Sequence, residues 1–138
     1  MLDERIYESY IGILKEEMVP AMGCTEPIAL AYGAARAREV LGKEPEHITA
    51  KCSGNIIKNV RCVIIPNSGG LTGIEAGVVL GAVAGNASLN MEVLSNVNEF
   101  ERKRCRELLD KKICKVELLD SPVVLHFIIE MQAGDDTV

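Results

Sequence analysis

Four glycines spaced four residues apart, Gly73, Gly77, Gly81 and Gly85, constrain this chain more than any other feature. They lie within its most apolar stretch, Gly73 to Ala87. A spacing of four puts them on one face of a helix. Each interior glycine costs about 1 kcal/mol relative to alanine, so the ladder costs on the order of 3 kcal/mol. That cost makes sense only where something must approach the bare backbone, either another helix or a ligand. Close helix packing is the expected explanation. The same spacing marks helix dimers in membranes. Here the stretch contains Glu75 and Asn86 and is too short and too polar to span a bilayer. A buried helix over Thr72 to Gly85 is therefore predicted.

The chain of 138 residues is one domain's worth of protein. At this length folding buries roughly two-thirds of the unfolded surface, so a real core can form. The composition is 48% hydrophobic but only 4% aromatic, without tryptophan, so that core must be built from Ala, Val, Ile and Leu. A net charge of −5 argues against nucleic acid as a partner and against a polybasic membrane surface. The start, MLDERIYESY, is charged and has no apolar run, so no signal peptide is expected and a cytoplasmic location follows. Five cysteines, at 24, 52, 62, 105 and 114, include no Cys-x-x-Cys pair and read as reduced thiols. No zinc-type spacing occurs, His47 and His126 are isolated, and no metal ligands are assigned.

The hydrophobic pattern predicts an α+β fold of about four helices with a small sheet. Asp3 to Met18 reads as an amphipathic helix with Tyr7, Ile11, Leu14 and Met18 at helical steps, ended by Pro20. Glu26 to Leu41 is an Ala-rich, buried helix with Thr25 as its N-cap and Gly42 as its stop. His47 to Cys52 and Arg61 to Ile65 read as strands. Between them SGNIIKN is a turn of helix or a loop, and Pro66 to Leu71 is a loop. Asn96 to Lys112 is a helix with Val97, Phe100, Cys105, Leu108 and Leu109 on its apolar half. Cys114 to Leu119 and Val123 to Met131 are apolar runs joined at Asp120-Ser121-Pro122, which predicts a C-terminal hairpin. An open strand edge or apolar face is expected near Val123 to Met131, a possible route to oligomers.

Three segments invite a chemical reading. In Gly23-Cys24-Thr25-Glu26-Pro27, a cysteine faces a helix N-terminus, which lowers a thiol pKa and favours the thiolate. A thiolate can be base, nucleophile or metal ligand; a buried cysteine can equally be a small apolar filler. In Cys52 to Asn59, hydroxyl, amide and ammonium groups surround a glycine, a set that suits a carboxylate or phosphate. A polar turn with Lys58 in solvent is the plainer reading. Pro66-Asn67-Ser68-Gly69-Gly70-Leu71-Thr72 is a glycine loop leading into a helix, an arrangement that binds anions. It lacks the Gly-Lys-Ser/Thr ending of a P-loop. A turn with an N-cap explains it too. The mixed charges from Glu99 to Lys112 read as a solvated face.

Taken together, GCTEPIALA, CSGNIIKN and IPNSGGLTGIEAGVVLGAVAGN are similar to the N-terminal part of the L-cysteine desulfidase family, related to the alpha chain of iron–sulfur L-serine dehydratases. The resemblance covers essentially the whole chain, residues 1–138, read as a single domain. It implies a cytoplasmic lyase with a 4Fe–4S cluster that performs β-elimination on a small L-amino acid, cysteine or serine. The products are pyruvate, ammonia and sulfide or water. Carried over by position, Cys24 is the catalytic thiol, either the base at the α-carbon or an extra cluster ligand. Ser53, Asn55, Lys58 and Asn59 belong to the substrate pocket, and Ser68, Gly69, Gly70 and Thr72 hold the substrate carboxylate.

The wording departs from the family around Cys52 to Asn55 and Asn67 to Gly70. Members of the family are about three times longer, a length that holds more than one domain. Their cluster ligands lie beyond the part that this chain resembles, and none of Cys52, Cys62, Cys105 or Cys114 matches them. The chain therefore reads as an N-terminal portion that holds no cluster and is inactive alone. Its partner would be a complementary C-terminal portion or a second copy. The rival readings are a serine dehydratase fragment and a non-catalytic anion-binding or assembly module. A thiol-dependent hydrolase is disfavoured, since neither histidine sits in a Cys/His motif.

Overall fold

The glycine ladder meets a second helix with small residues at the same spacing. A computed structural model describes residues 3–138. In it, helix α2 spans Thr25–Leu41 and helix α4 spans Ile74–Ala84. A Cβ at Gly81 would lie 2.3 Å from the Ala31 carbonyl oxygen and 2.6 Å from its Cα. One at Gly85 would lie 2.7 Å from Ala35 Cβ, and one at Gly77 3.6 Å from the Pro27 carbonyl oxygen. Residues 77, 81 and 85 thus step along 27, 31 and 35, so the two helices run parallel with their N-termini at the same end. Close backbone packing, not a ligand, accounts for the ladder.

Around this pair the fold is α+β. Helix α1 covers Glu4–Glu17, α3 Gly54–Val60 and α5 Glu99–Asp110; strands are β1 His47–Cys52, β2 Cys114–Leu118, β3 Phe127–Ala133 and β4 Asp136–Thr137. A 3-10 segment, Ala87–Glu92, follows α4. The core is aliphatic, as the composition requires: Ile28, Leu30, Ile48, Ile56, Ile65 and Leu80 are among its largest fully buried side chains. Helix α2 starts one residue earlier than expected, with Cys24 and not Thr25 at the N-cap, and ends at Gly42 in the left-handed region, φ 75°. Helix α5 starts at Glu99, held by a capping box between Asn98 and Glu101. Its Cys105 and Leu108 face the core, but Phe100 is 79% exposed. Five residues from Cys105, it lies about 140° round the helix and misses the buried face.

The sheet order is β2-β1-β3-β4, with β1 parallel to β2 and antiparallel to β3. This overturns the expected hairpin between the last two apolar runs, because β1 lies between them. The connecting segment is pinned across the end of β1 instead. Leu119 N–H donates to the Cys52 carbonyl at 2.8 Å, Ser53 N–H to the His126 carbonyl at 2.9 Å, and the Ser53 hydroxyl to the Val124 carbonyl at 2.7 Å. Strand β3 consequently starts at Phe127, leaving Val123, Val124 and Leu125 exposed. The hairpin that forms is β3–β4, turning at Gly134-Asp135 with Gly134 at φ 60°.

Arg61 to Ile65 is not a strand either; only Ile64 pairs, in a single bridge to Thr72. Its apolar content reflects burial of Ile65, whose side chain packs on Gly77. SGNIIKN resolves as helix α3. Helix α1 forms as predicted, capped by Asp3, but none of its residues is buried.

Two substitutions separate the contacts of the ladder. Gly81→Ala should destabilise the chain by about 2–3 kcal/mol, because the new methyl meets rigid backbone. Gly77→Ala should stay within about 1 kcal/mol of the parent, since its nearest neighbour is the mobile end of Ile65 and alanine favours helix. Urea unfolding of both variants measures the difference.

Candidate functional site

Because α2 and α4 are parallel, the segments singled out from the sequence gather at their shared N-terminal end. Gly23, at φ 75°, turns the chain into α2; a Cβ there would sit 3.8 Å from the Pro66 ring. The GCTEP turn therefore abuts the loop of residues 66–72. Behind it, the Ser95 hydroxyl donates to Met22 Sδ at 3.2 Å.

Cys24 is exposed. Its Sγ donates to Glu26 Oε2 at 3.1 Å, and Asn59 Nδ2 donates to Glu26 Oε1 at 3.2 Å. One carboxylate thus joins the first two motifs. It also reverses the expected electrostatics. The Cys24 pKa is raised, first by the hydrogen bond to Glu26, then by partial burial, with the Glu26 charge adding to both. Backbone N–H groups of Glu26 and Thr25 at the start of α2 pull it down, as a helix N-terminus should, but the carboxylate wins. Glu26 is lowered by the same thiol, then by Asn59. The resting proton sits on sulfur, and the thiolate expected from the helix terminus is not the resting state.

The hydroxyls expected to meet substrate are engaged inside the chain. Ser53 is buried and tied to Val124. Ser68 is fully buried; its hydroxyl accepts from Leu71 N–H at 2.9 Å and donates to the Leu71 carbonyl at 3.3 Å. Asn55 is half-buried, while Lys58, Asn59 and Thr72 are exposed. Gly69 and Gly70 adopt φ 73° and 91°, which a side chain would strain.

Two residues escaped the sequence reading. Arg102 Nε donates to the Asn67 carbonyl at 2.9 Å, and Arg106 Nη2 lies 2.6 Å from where a Gly69 Cβ would stand. Helix α5 thus lays two guanidinium groups beside the glycine loop, with Glu99 at 3.4 Å from one and 3.8 Å from the other. Asn67 Nδ2 fixes the loop from its other side by donating to the Leu94 carbonyl at 2.8 Å. Paired arginines next to a left-handed glycine turn suit a carboxylate. Their i, i+4 spacing was visible in the sequence; that α5 packs on this loop was not.

The remaining thiols do not extend the site. Burial pushes Cys52 and Cys105 up to about 11 and Cys114 up to about 12, while Cys62 is exposed. Among the described residues no three His, Cys, Asp or Glu side chains are placed to hold a metal ion. Among the described residues the donors do not form a set that fits the 4Fe–4S cluster that the resemblance implies. Among the described residues no helix is long and apolar enough to cross a membrane.

The chain is similar to bacterial UPF0597 proteins, a name that states no activity. One from Treponema denticola is 47% identical over 136 residues, 99% of this chain and 32% of that protein. One from Desulfitobacterium hafniense is 46% identical over 135 residues, 98% of this chain and 31% of that protein. One from Finegoldia magna is 49% identical over 129 residues, 94% of this chain and 30% of that protein. The chain thus spans about a third of the length of the curated relatives it matches. No family model matches it, and no solved structure does.

The thiols should sort by environment. In the folded chain at pH 8, iodoacetamide should label Cys24 and Cys62, with Cys52, Cys105 and Cys114 labelled only on unfolding. Glu26→Gln removes the main cause that raises the Cys24 pKa, so the thiolate fraction rises and Cys24 labelling should accelerate several-fold. Mass spectrometry of timed digests reads both.

Proposed function

We propose that this chain is the thiol-bearing N-terminal portion of a β-eliminating lyase for a small L-amino acid, L-cysteine in first place and L-serine as the alternative. The observation that carries the reading is the Cys24–Glu26–Asn59 constellation. It joins two motifs that resemble the desulfidase family, at the end of the fold where the third, the glycine loop, also lies.

The chemistry assigned to the chain is proton transfer and carboxylate binding. A base removes the α-proton, the freed electron pair forms the Cα–Cβ double bond, and the Cβ–S bond breaks with hydrosulfide as leaving group. The aminoacrylate tautomerises to an imine, which water hydrolyses to pyruvate and ammonia. Cys24 is the base. It rests as a thiol, so it must first pass its proton to the acceptor in reach, Glu26, which Asn59 holds in place. The N-terminus of α2 then favours the thiolate. Arg106 and Arg102, with the Ser68 to Thr72 loop, hold the substrate carboxylate.

Cys24 lies on an open surface, whereas elimination through a water-sensitive aminoacrylate needs a covered site. The cover, and the ligands of any cluster, would come from outside this chain. The assembly-module reading is favoured by one observation, the internal bonding of Ser53 and Ser68.

The longest natural form that carries this segment, prepared anaerobically, should release pyruvate and sulfide from L-cysteine. Cys24→Ser should lower kcat by at least about 100-fold, the contribution typical of general base catalysis. Arg106→Ala should act mainly on KM. Unchanged turnover in Cys24→Ser would overturn the base role and leave the assembly reading. The 138-residue chain alone, after anaerobic reconstitution, should form no visible-absorbing cluster and no pyruvate; a brown, active chain would overturn the fragment reading.

A further inference from the structure

Helix α1 carries an apolar face that no other described residue buries. Ile6, Tyr7, Tyr10, Ile13 and Leu14 fall on one half of its wheel at steps of three and four, and Met18 follows at its C-cap. Their exposure runs from 46% at Ile6 to 68% at Met18. No residue of the helix is buried. A 14-residue helix is marginal in water without tertiary packing, and Gly12 in its interior lowers its propensity by about 1 kcal/mol more. The stripe is therefore an unfilled packing surface.

Three occupants are conceivable, and the observations favour one. A membrane surface recruits such a helix through Lys and Arg on the polar face. Here Glu4, Glu8 and Glu16 outnumber Arg5 and Lys15 there. A free partner or second copy needs an interface of about 20–30 residues a side. One helix face of six side chains falls well short. A tethered partner escapes that requirement, because attachment supplies a high effective concentration. The relatives carry such a tethered partner, since about two-thirds of their length lies outside the part that matches this chain.

We infer that the apolar face of α1 is the docking surface for that remaining two-thirds of the polypeptide. The stripe and its two tyrosines pack into an apolar groove on it. Met18 and Cys24 are six positions apart, a span of at most about 20 Å. A region gripped by α1 is therefore held beside the Cys24–Glu26 pair, where the elimination reading needs a cover. That last step rests on the lyase reading; the docking does not.

Hydrogen exchange of the 138-residue chain and of the full-length Treponema denticola relative, whose matching segment spans 99% of this chain, tests the docking. The amides of α1 should exchange freely in the short chain and roughly 100-fold more slowly in the long one. Ile13→Asp at the corresponding position should abolish that protection, and the milder Ile13→Ala should reduce it. Both should leave the unfolding midpoint of the short chain unchanged. Equal exchange in the two proteins would overturn the docking. So would protection in the short chain that rises with its own concentration, which would identify a second copy, or that appears only with phosphatidylserine vesicles. The readout is independent of turnover: a protected α1 with an active Cys24→Ser enzyme would overturn the base role alone.

Discussion

Ala31 and Gly81 bring two helix backbones within reach of each other, and the placement of the other elements follows from that approach. A methyl at residue 81 would stand 2.3 Å from the Ala31 carbonyl oxygen, so the distance is available only to glycine. Parallel helices this close put both N-termini at one end. The turn into α2, the end of α3 and the loop before α4 then meet there, although they are up to 50 residues apart in sequence. The cost of glycine inside a helix is offset by dense packing of small residues along the seam, where Ala31, Ala34 and Ala35 are fully buried.

At the gathered end, competition between a helix terminus and a single carboxylate decides the chemistry. The start of α2 offers N–H groups that favour a thiolate, yet Glu26 accepts a hydrogen bond from the Cys24 thiol at 3.1 Å and raises its pKa. A direct hydrogen bond to an ionised acceptor outweighs a diffuse partial charge. The resting site is thus an exposed thiol bonded to a carboxylate, with the arginines of α5 beside the glycine loop.

What was legible in the sequence follows the range of the interactions involved. The ladder, the stop at Gly42, strand β1 and the aliphatic core depend on spacing and composition within a few residues, and the structure has them. The hairpin after β2, a strand at Arg61 to Ile65 and a buried Phe100 are expected from apolar pattern but absent from the structure. Phe100 lies off the buried face of its helix, and the apolar runs do not pair locally because the segment after β2 is tied to the end of β1. Ser53 tethering Val124 is 71 positions away from its partner.

Local pattern alone specifies an α+β chain with an aliphatic core, a helix that demands close backbone contact, and a thiol at the mouth of a helix. Periodicity and backbone stereochemistry suffice for those. That α2 meets the ladder, that the Cys24 thiol donates to Glu26 with Asn59 behind it, and that Arg102 and Arg106 stand beside the glycine loop depend on the folded arrangement. These are contacts between side chains on different elements, and no local pattern encodes which elements will touch.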